Sequence, residues 1–378
     1  MFDRTDRSRI GVWWWTVDKM MLASIFLLMV LGAVLVMAAS PPVASRIGLP
    51  EQHFVWKQLI FLVPAAVIML ITSILGPRTI RALCLLGLVI VSGLMAATLV
   101  VGPEVKGATR WLTIGGFRLQ PSEFIKPLFA VSCAWLLGLW REQYGFPGWV
   151  WASVLAAFVV TLLILQPDIG MTSVVVLTFG FQLFLAGLPL LLVFAAIGLA
   201  PLAGWIAYTQ FDHVRLRVDK FLEGGSLQTE RSIQSFAEGG WFGVGPGDGT
   251  VKQYLPDAHA DFIFSVAAEE YGLLACLLLI GVYSFVVIRG YAQSLGRPDL
   301  FTILAVSGLV TQFGVQAAIH MASSVDMIPT KGMTLPLISY GGSSLMASGL
   351  TLGLILALTR KSQQAPSSSY DQLAKEAV

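Results

Sequence analysis

Charge is the first thing this 378-residue chain lacks. Asp, Glu, Lys and Arg make up 12% of it, against about 25% in an ordinary soluble domain, which excludes a solvated globular protein. The formal net charge of +2 is too small to suggest a nucleic-acid partner. Cysteine is scarce too: Cys84, Cys133 and Cys276 each sit inside an apolar run, with no disulfide framework and no metal-ligand spacing. No internal repeat at a fixed period is visible, which weakens an inverted-repeat transporter.

What the chain has instead is apolar length. Hydrophobic residues reach 56%, and the expected fold class is an all-α polytopic membrane protein. A span needs roughly 20 mostly apolar residues, and about ten candidates fit: roughly 20–40, 56–76, 80–101, 124–140, 149–165, 171–187, 189–208, 261–288, 300–322 and 340–359. The chain therefore divides into a cytoplasmic N-terminal segment (1–19), a membrane domain (20–360) and a polar tail (361–378) expected to be disordered. One long extracytoplasmic loop, 209–260, joins the seventh and eighth spans. Arg4, Arg7, Arg9 and Lys19 before the apolar run Met20–Ala38 imitate a signal peptide. The run exceeds the usual ~7–15 apolar residues, so it reads as an uncleaved first span. Trp13, Trp14 and Trp15 suit a membrane-interface belt.

Lys and Arg in the short connections set the orientation. With both termini in the cytoplasm, that side collects Arg78, Arg81, Arg141, Arg289, Arg297, Arg360 and Lys361. The opposite side is basic as well. Long translocated loops escape the rule, but Lys106, Arg110, Arg118 and Lys126 stand in a short connection and work against it. An anionic ligand is the natural candidate, with lipid headgroups or loop salt bridges as the alternative.

Five stretches carry chemistry-bearing residues. In Lys106–Lys126, polar and apolar residues alternate around Gly115-Gly116, which predicts a small hairpin on the membrane surface. Ser122 is placed to cap the next span, Glu123 and Lys126 share a helix face, and Lys126 lies a turn inside an apolar helix. Gln166-Pro167-Asp168-Ile169-Gly170 is good turn chemistry on its own. The 209–260 loop has no clear secondary structure and a glycine-rich run at 239–249, but its aromatic residues argue against disorder. Asp261, Ser265 and Glu269 form one stripe of a helix opening at Asp261, with Glu270 beside it. Asp257 or Asp261 is either a helix cap or a functional acid. Last, Lys331 precedes Ser339, Gly341, Gly342, Ser343 and Ser344 at the entry to the last span, where backbone N–H groups and hydroxyls suit an anion or a close helix packing.

These pieces, in this order, resemble the SEDS family (shape, elongation, division and sporulation). The resemblance rests on Lys106–Leu112, Gln120-Pro121-Ser122-Glu123, Gln166–Gly170, Ala258–Phe264 and Leu335–Ser344, and covers most of 20–360. Pro329–Pro336 looks like the cell-division, FtsW-type members more than the elongation, RodA-type ones. Where the family commonly has Glu-Ala-His-Thr-Asp, this chain has Asp257-Ala258-His259-Ala260-Asp261.

The resemblance implies a ten-span peptidoglycan glycosyltransferase of the inner membrane, at the division septum, polymerising lipid II. It implies Asp261 as the base, and Lys106, Arg110, Lys126, Lys331 and the Ser339–Ser344 entry as groups for the departing pyrophosphate. Glu123 would orient Lys126 or the acceptor; Asp168, His259 and Glu269 would support the site. The implied partners are a class B penicillin-binding transpeptidase and other division proteins. A divalent cation, Mg or Mn, suits this chemistry, and no ligand set for one is readable. A lipid II flippase and a non-enzymatic division scaffold are the alternatives; the flippase requires polar residues through to the inner face, and few are visible.

Overall fold

A computed structural model describes residues 8–104, 108–142, 145–210, 212–222, 227–329 and 332–361. Lys106, Lys331 and nearly all of the polar tail lie outside the described residues. In chain order the elements are α1 (Arg9–Thr16), α2 (Lys19–Arg46), α3 (His53–Ile74), α4 (Pro77–Val101), β1 (Leu112–Ile114), β2 (Phe117–Leu119), α5 (Pro121–Glu142) and α6 (Gly148–Leu165). There follow α7 (Ile169–Leu185), α8 (Leu190–Gln210), α9 (Asp212–Leu222), α10 (Leu227–Gly239), a 3₁₀ turn (Val251–Gln253), α11 (Ile263–Leu295), α12 (Leu300–Ser324) and α13 (Gly342–Thr359).

The helices α2–α8 and α11–α13 stand where the spans were expected. Among the described residues eight of them are long and apolar enough to cross a membrane; α7, with 17 residues, is shorter. The bundle is densest around α5, α12 and α13, whose apolar stretches are mostly buried, whereas α3 and α4 turn residues such as Trp56, Ile60, Val63 and Val89 outward.

Small residues set the closest crossings. A Cβ on Gly349 of α13 would lie 2.4 Å from the carbonyl oxygen of Ala65, and one on Gly353 2.6 Å from that of Met69. This small-xxx-small pair lets α13 and α3 meet backbone to backbone.

The connections sort to two ends. At the end holding the chain's N-terminal helix, arginines cap helix C-termini: Arg141 donates to Ala186 O at 2.5 Å, Arg297 to Arg360 O at 2.5 Å and Arg360 to Leu75 O at 2.8 Å. Each cation meets carbonyls that the helix leaves unpaired. Trp13 is buried there, its indole donating to Ser73 Oγ at 2.9 Å, so of the three tryptophans only Trp14 and Trp15 are exposed.

The other end carries the β hairpin, the turn at 166–168, the 211–262 segment and the 325–341 connection. The hairpin forms as expected, pairing Leu112 with Leu119 across Gly115 (φ 58°) and Gly116 (φ 83°), both in the left-handed region a two-residue turn requires. Ser122 is not the cap of α5: the helix starts at Pro121, whose fixed φ suits a first helical position.

The long loop is not structureless either. It contains α9, α10 and the 3₁₀ turn. The buried face of α10 is Thr229, Ser232, Ser235 and Gly239, a helical period written in small polar residues rather than apolar ones. Next to it, α11 breaks at Gly272 (φ 76°, ψ −175°). The glycine-rich run fills the break: Val244 N–H donates to Glu269 O at 2.9 Å, Gly245 N–H to Glu270 O at 3.1 Å, and Leu273 N–H to Gly240 O at 2.9 Å.

If backbone contact between α3 and α13 holds the bundle, Gly349→Val drives a side chain into Ala65 and separates the two helices. A loss of about 1–3 kcal/mol is expected from such overpacking. Thermal denaturation in detergent checks it; an unchanged midpoint contradicts the close crossing.

Candidate functional site

The site is built around a segment with no regular secondary structure, Gly332–Gly341, between α12 and α13. Pro336 removes an N–H and Leu337 sits at φ 66°, so neither helix nor strand can continue through it. Yet Met333, Leu335, Leu337, Ile338 and Ser339 are almost wholly buried. Irregular backbone inside a membrane bundle must find its partners in the protein, and here the spans supply them. His320 Nδ1 meets Met333 O at 2.7 Å and Gln316 Nε2 donates to Thr334 O at 3.0 Å. Tyr283 Oη donates to Pro336 O at 2.5 Å and Gln58 Nε2 to Ile338 O at 3.3 Å. Ser339 Oγ accepts from Leu335 N–H at 2.8 Å and donates to Ala260 O at 2.6 Å, and Tyr340 N–H donates to His259 O at 2.9 Å.

Those last two bonds dock the Asp257–Asp261 turn. Asp257 takes φ 53°, and its carbonyl accepts the N–H groups of Ala260 and Asp261, both at 2.9 Å. Asp261 is half-buried, and a Cβ on Gly332 would lie 3.3 Å from its Oδ2, so this carboxylate faces the backbone next to Lys331. It lies one residue before the N-cap of α11. The helix begins at Ile263, and its N-cap is Phe262, which makes no side-chain cap bond. The expected stripe of Asp261, Ser265 and Glu269 is corrected on the same ground, because Asp261 precedes the helix. Ser265 Oγ meets Ser232 Oγ at 2.5 Å. Glu269 accepts the N–H groups of Val251 and Lys252 at 2.6 and 2.9 Å, so it anchors the 3₁₀ turn away from Asp261.

His259 is held by rings. It stacks on Phe54 with centroids 4.0 Å apart and lies 5.1 Å from the Tyr340 ring. Burial pushes its pKa down to about 4; Asp257 opposes this and Arg46 adds to it. A neutral, stacked imidazole orients the turn and carries no positive charge at neutral pH.

The other sequence-predicted residues that the structure describes meet protein partners. Lys126 Nζ is 2.8 Å from Glu123 Oε2 and 2.5 Å from Gln316 Oε1, all buried. Beside them is a cavity of about 10 Å³, lined by Gln312, Gln316, Ser348 and Thr351, room for a single water. Arg110 donates to Gln166 O at 3.1 Å and to Pro167 O, and its Nη1 is 3.5 Å from Asp168 Oδ2. Asp168 also caps α7 through Met171 N–H at 3.2 Å. Gly170 packs against Met333, so this turn borders the site. At the α13 entry, Ser343 Oγ accepts from Gln120 N–H at 2.9 Å, Ser344 meets Thr334 Oγ1, and Gly342 lies against the Phe61 ring. Gly341 is the N-cap of α13. Arg110, Lys126 and the serines therefore frame the site rather than point freely into it. Among the described residues no three His, Cys, Asp or Glu side chains converge to hold a metal ion.

Gln316 and His320 were missed in the sequence. With Gln312 they form a polar stripe at i, i+4, i+8 on an otherwise apolar span, a signal that a polar residue inside a membrane helix has a partner.

The family model described as "Cell cycle protein" (FtsW, RodA, SpoVE) matches residues 18–364. A Caulobacter vibrioides protein named "Probable peptidoglycan glycosyltransferase FtsW" is 45% identical over 364 residues, 95% of this chain and 93% of that one. A relative of the same name from Shewanella sediminis is 35% identical over 87% of this chain and 83% of its own. Thermus thermophilus rod shape determining protein RodA superposes with a TM-score of 0.70 at 27% identity, covering 93% of this chain and 99% of its own. A chain from a structure described as "Structural coordination of polymerization and crosslinking by a peptidoglycan synthase complex" superposes with a TM-score of 0.75 at 28% identity, covering 91% and 97%.

Because His259 is neutral when folded, its contribution to stability is complete above its ordinary pKa of 6.5 and is lost as pH falls towards about 4. A decline on the order of 3 kcal/mol across that window follows. His259→Phe, which keeps the stack, is expected to flatten this limb of the melting temperature against pH; an unchanged limb contradicts the assignment.

Proposed function

The chain belongs to the FtsW, RodA and SpoVE family of cell cycle proteins, and from that premise we propose how this FtsW-type peptidoglycan glycosyltransferase works. The end carrying the hairpin and the 211–262 segment faces away from the cytoplasm and receives lipid II. Asp261 takes the proton from the 4-hydroxyl of the acceptor sugar. The oxygen attacks the anomeric carbon of the donor, the bond from that carbon to pyrophosphate breaks, and undecaprenyl pyrophosphate leaves with the electron pair. One base and one displacement invert the anomeric centre without a covalent intermediate.

The observation that carries this reading is the approach of Asp261 Oδ2 to Gly332. It brings a carboxylate to the residue that follows Lys331, a cation whose charge complements a pyrophosphate as it leaves. Lys106 joins Lys331 in that role, while Arg110, Glu123, Lys126 and the α13 serines hold the walls. A divalent cation would add positive charge at the pyrophosphate. The protein acts in the bacterial inner membrane, at the division septum with both termini cytoplasmic. A class B transpeptidase crosslinks the strand it makes, alongside other division proteins. The fold of the chain from the peptidoglycan synthase complex supports that pairing.

The test is polymerisation of lipid II in detergent by the purified chain with its transpeptidase. Asp261→Asn is expected to lower glycan synthesis by about 10²-fold or more, the usual contribution of a general base. Wild-type rates from that variant would overturn the assignment. Lys331→Ala is expected to slow turnover as well; unchanged binding and turnover would remove it as a phosphate ligand.

A further inference from the structure

Two side chains of α12, both closed off from any ligand, hold the segment beside Asp261. His320 is 0% exposed and Gln316 5%. They stand one helical turn apart and take two consecutive carbonyls: His320 Nδ1 meets Met333 O at 2.7 Å, and Gln316 Nε2 donates to Thr334 O at 3.0 Å. Two successive peptide planes are thereby pinned immediately after Gly332.

Chemistry fixes the sense of each bond. A carbonyl oxygen only accepts, so Nδ1 carries the hydrogen and His320 is the donor. Its Nε2 has no hydrogen-bond partner among the described residues, which leaves the bond to Met333 as the ring's polar contact there. Gln316 is locked from both ends. Its oxygen accepts from Lys126 Nζ at 2.5 Å, and Lys126 in turn meets Glu123 Oε2 at 2.8 Å. An ammonium only donates, so turning the amide over would break both of its bonds at once.

We propose that His320 and Gln316 are positioning residues for glycan polymerisation. By pinning the Met333 and Thr334 carbonyls they hold Gly332, where a Cβ would lie 3.3 Å from Asp261 Oδ2, and so set how the chain from Lys331 approaches the base. The proposal rests on the reading of Asp261 and Lys331 given above. Losing either bond leaves a buried carbonyl unpaired, and the segment shifts or opens locally to find a partner. The reaction is sensitive to such a shift, because a displacement of about 1 Å at the reacting groups can cost about 10²-fold in rate.

His320→Asn and His320→Leu separate the bond from the ring. Both remove the imidazole, but asparagine keeps an N–H on an atom bonded to Cγ, where Nδ1 stands, and leucine puts a methyl there. Turnover of lipid II by the full chain with its transpeptidase is expected to stay near the wild-type rate in His320→Asn. In His320→Leu it is expected to fall by about ten- to a hundred-fold. Gln316→Met, which offers no N–H to Thr334 O, is expected to fall likewise, and it carries the test should His320→Leu not purify as a folded species. Amide hydrogen exchange over 332–341, read by mass spectrometry on the same samples, follows the segment itself and makes no use of the Asp261 chemistry. It is expected to quicken in His320→Leu and Gln316→Met and to stay unchanged in His320→Asn. Unchanged exchange in both of the first two variants overturns the proposal, as does His320→Asn as impaired as His320→Leu, which would assign the effect to the ring's volume. Faster exchange with wild-type turnover overturns it too, and places the failure in the reading of Asp261 and Lys331 rather than in the bonds.

Discussion

A stretch of irregular backbone inside a membrane bundle is the constraint on which the rest of this structure depends. Each amide or carbonyl of Gly332–Gly341 left without a partner would cost several kcal/mol in an apolar surrounding. The polar residues of the spans are placed to meet that demand: Gln58 on α3, Tyr283 on α11, Gln316 and His320 on α12. The bonds radiate from one segment to several helices, so the segment fixes the helices as much as they fix it. Gly32 of α2 shows how tight the fit is, since a Cβ there would fall 2.6 Å from Leu337 O.

From that frame the position of Asp261 follows. The Asp257–Asp261 turn hangs on Ser339 and Tyr340, and His259 packs with Phe54 and Tyr340 in a cluster of three rings. Glu123 and Lys126 reach the same frame through Gln316, which touches Lys126 with its oxygen and Thr334 O with its nitrogen. An ion pair distant in sequence from Asp261 is thus linked through one glutamine to the segment beside it. The glycine-rich run is braced separately, through the break at Gly272 and the carboxylates of Glu269 and Glu270.

Much of this was legible in the sequence, and what was not has physical reasons. Apolar runs marked the spans because a bilayer imposes a length. Gly115-Gly116 marked the hairpin because its turn needs two left-handed residues. Asp261 stood out because a carboxylate beside an apolar run is costly. α10 was hidden because its buried face is Ser, Thr and Gly, which apolar periodicity does not register. The pairing of Arg110 with the 166–168 turn was hidden because it joins residues far apart in sequence. The polar stripe of α12 was visible in the chain and went unread. Its partners are backbone carbonyls of the buried segment and side chains on other helices, Lys126 and Thr351, all distant in sequence.

The central claim is that the buried segment holds the residue after Lys331 against Asp261, and the most direct measurement is a cross-link. In a variant with Cys84, Cys133 and Cys276 replaced by Ala, Asp261→Cys and Gly332→Cys are combined with a protease site in the 296–299 connection. Mild oxidation before cleavage is predicted to keep the two fragments together on a non-reducing gel. Complete separation of the fragments, in protein that still purifies as a folded monodisperse species, would contradict the account.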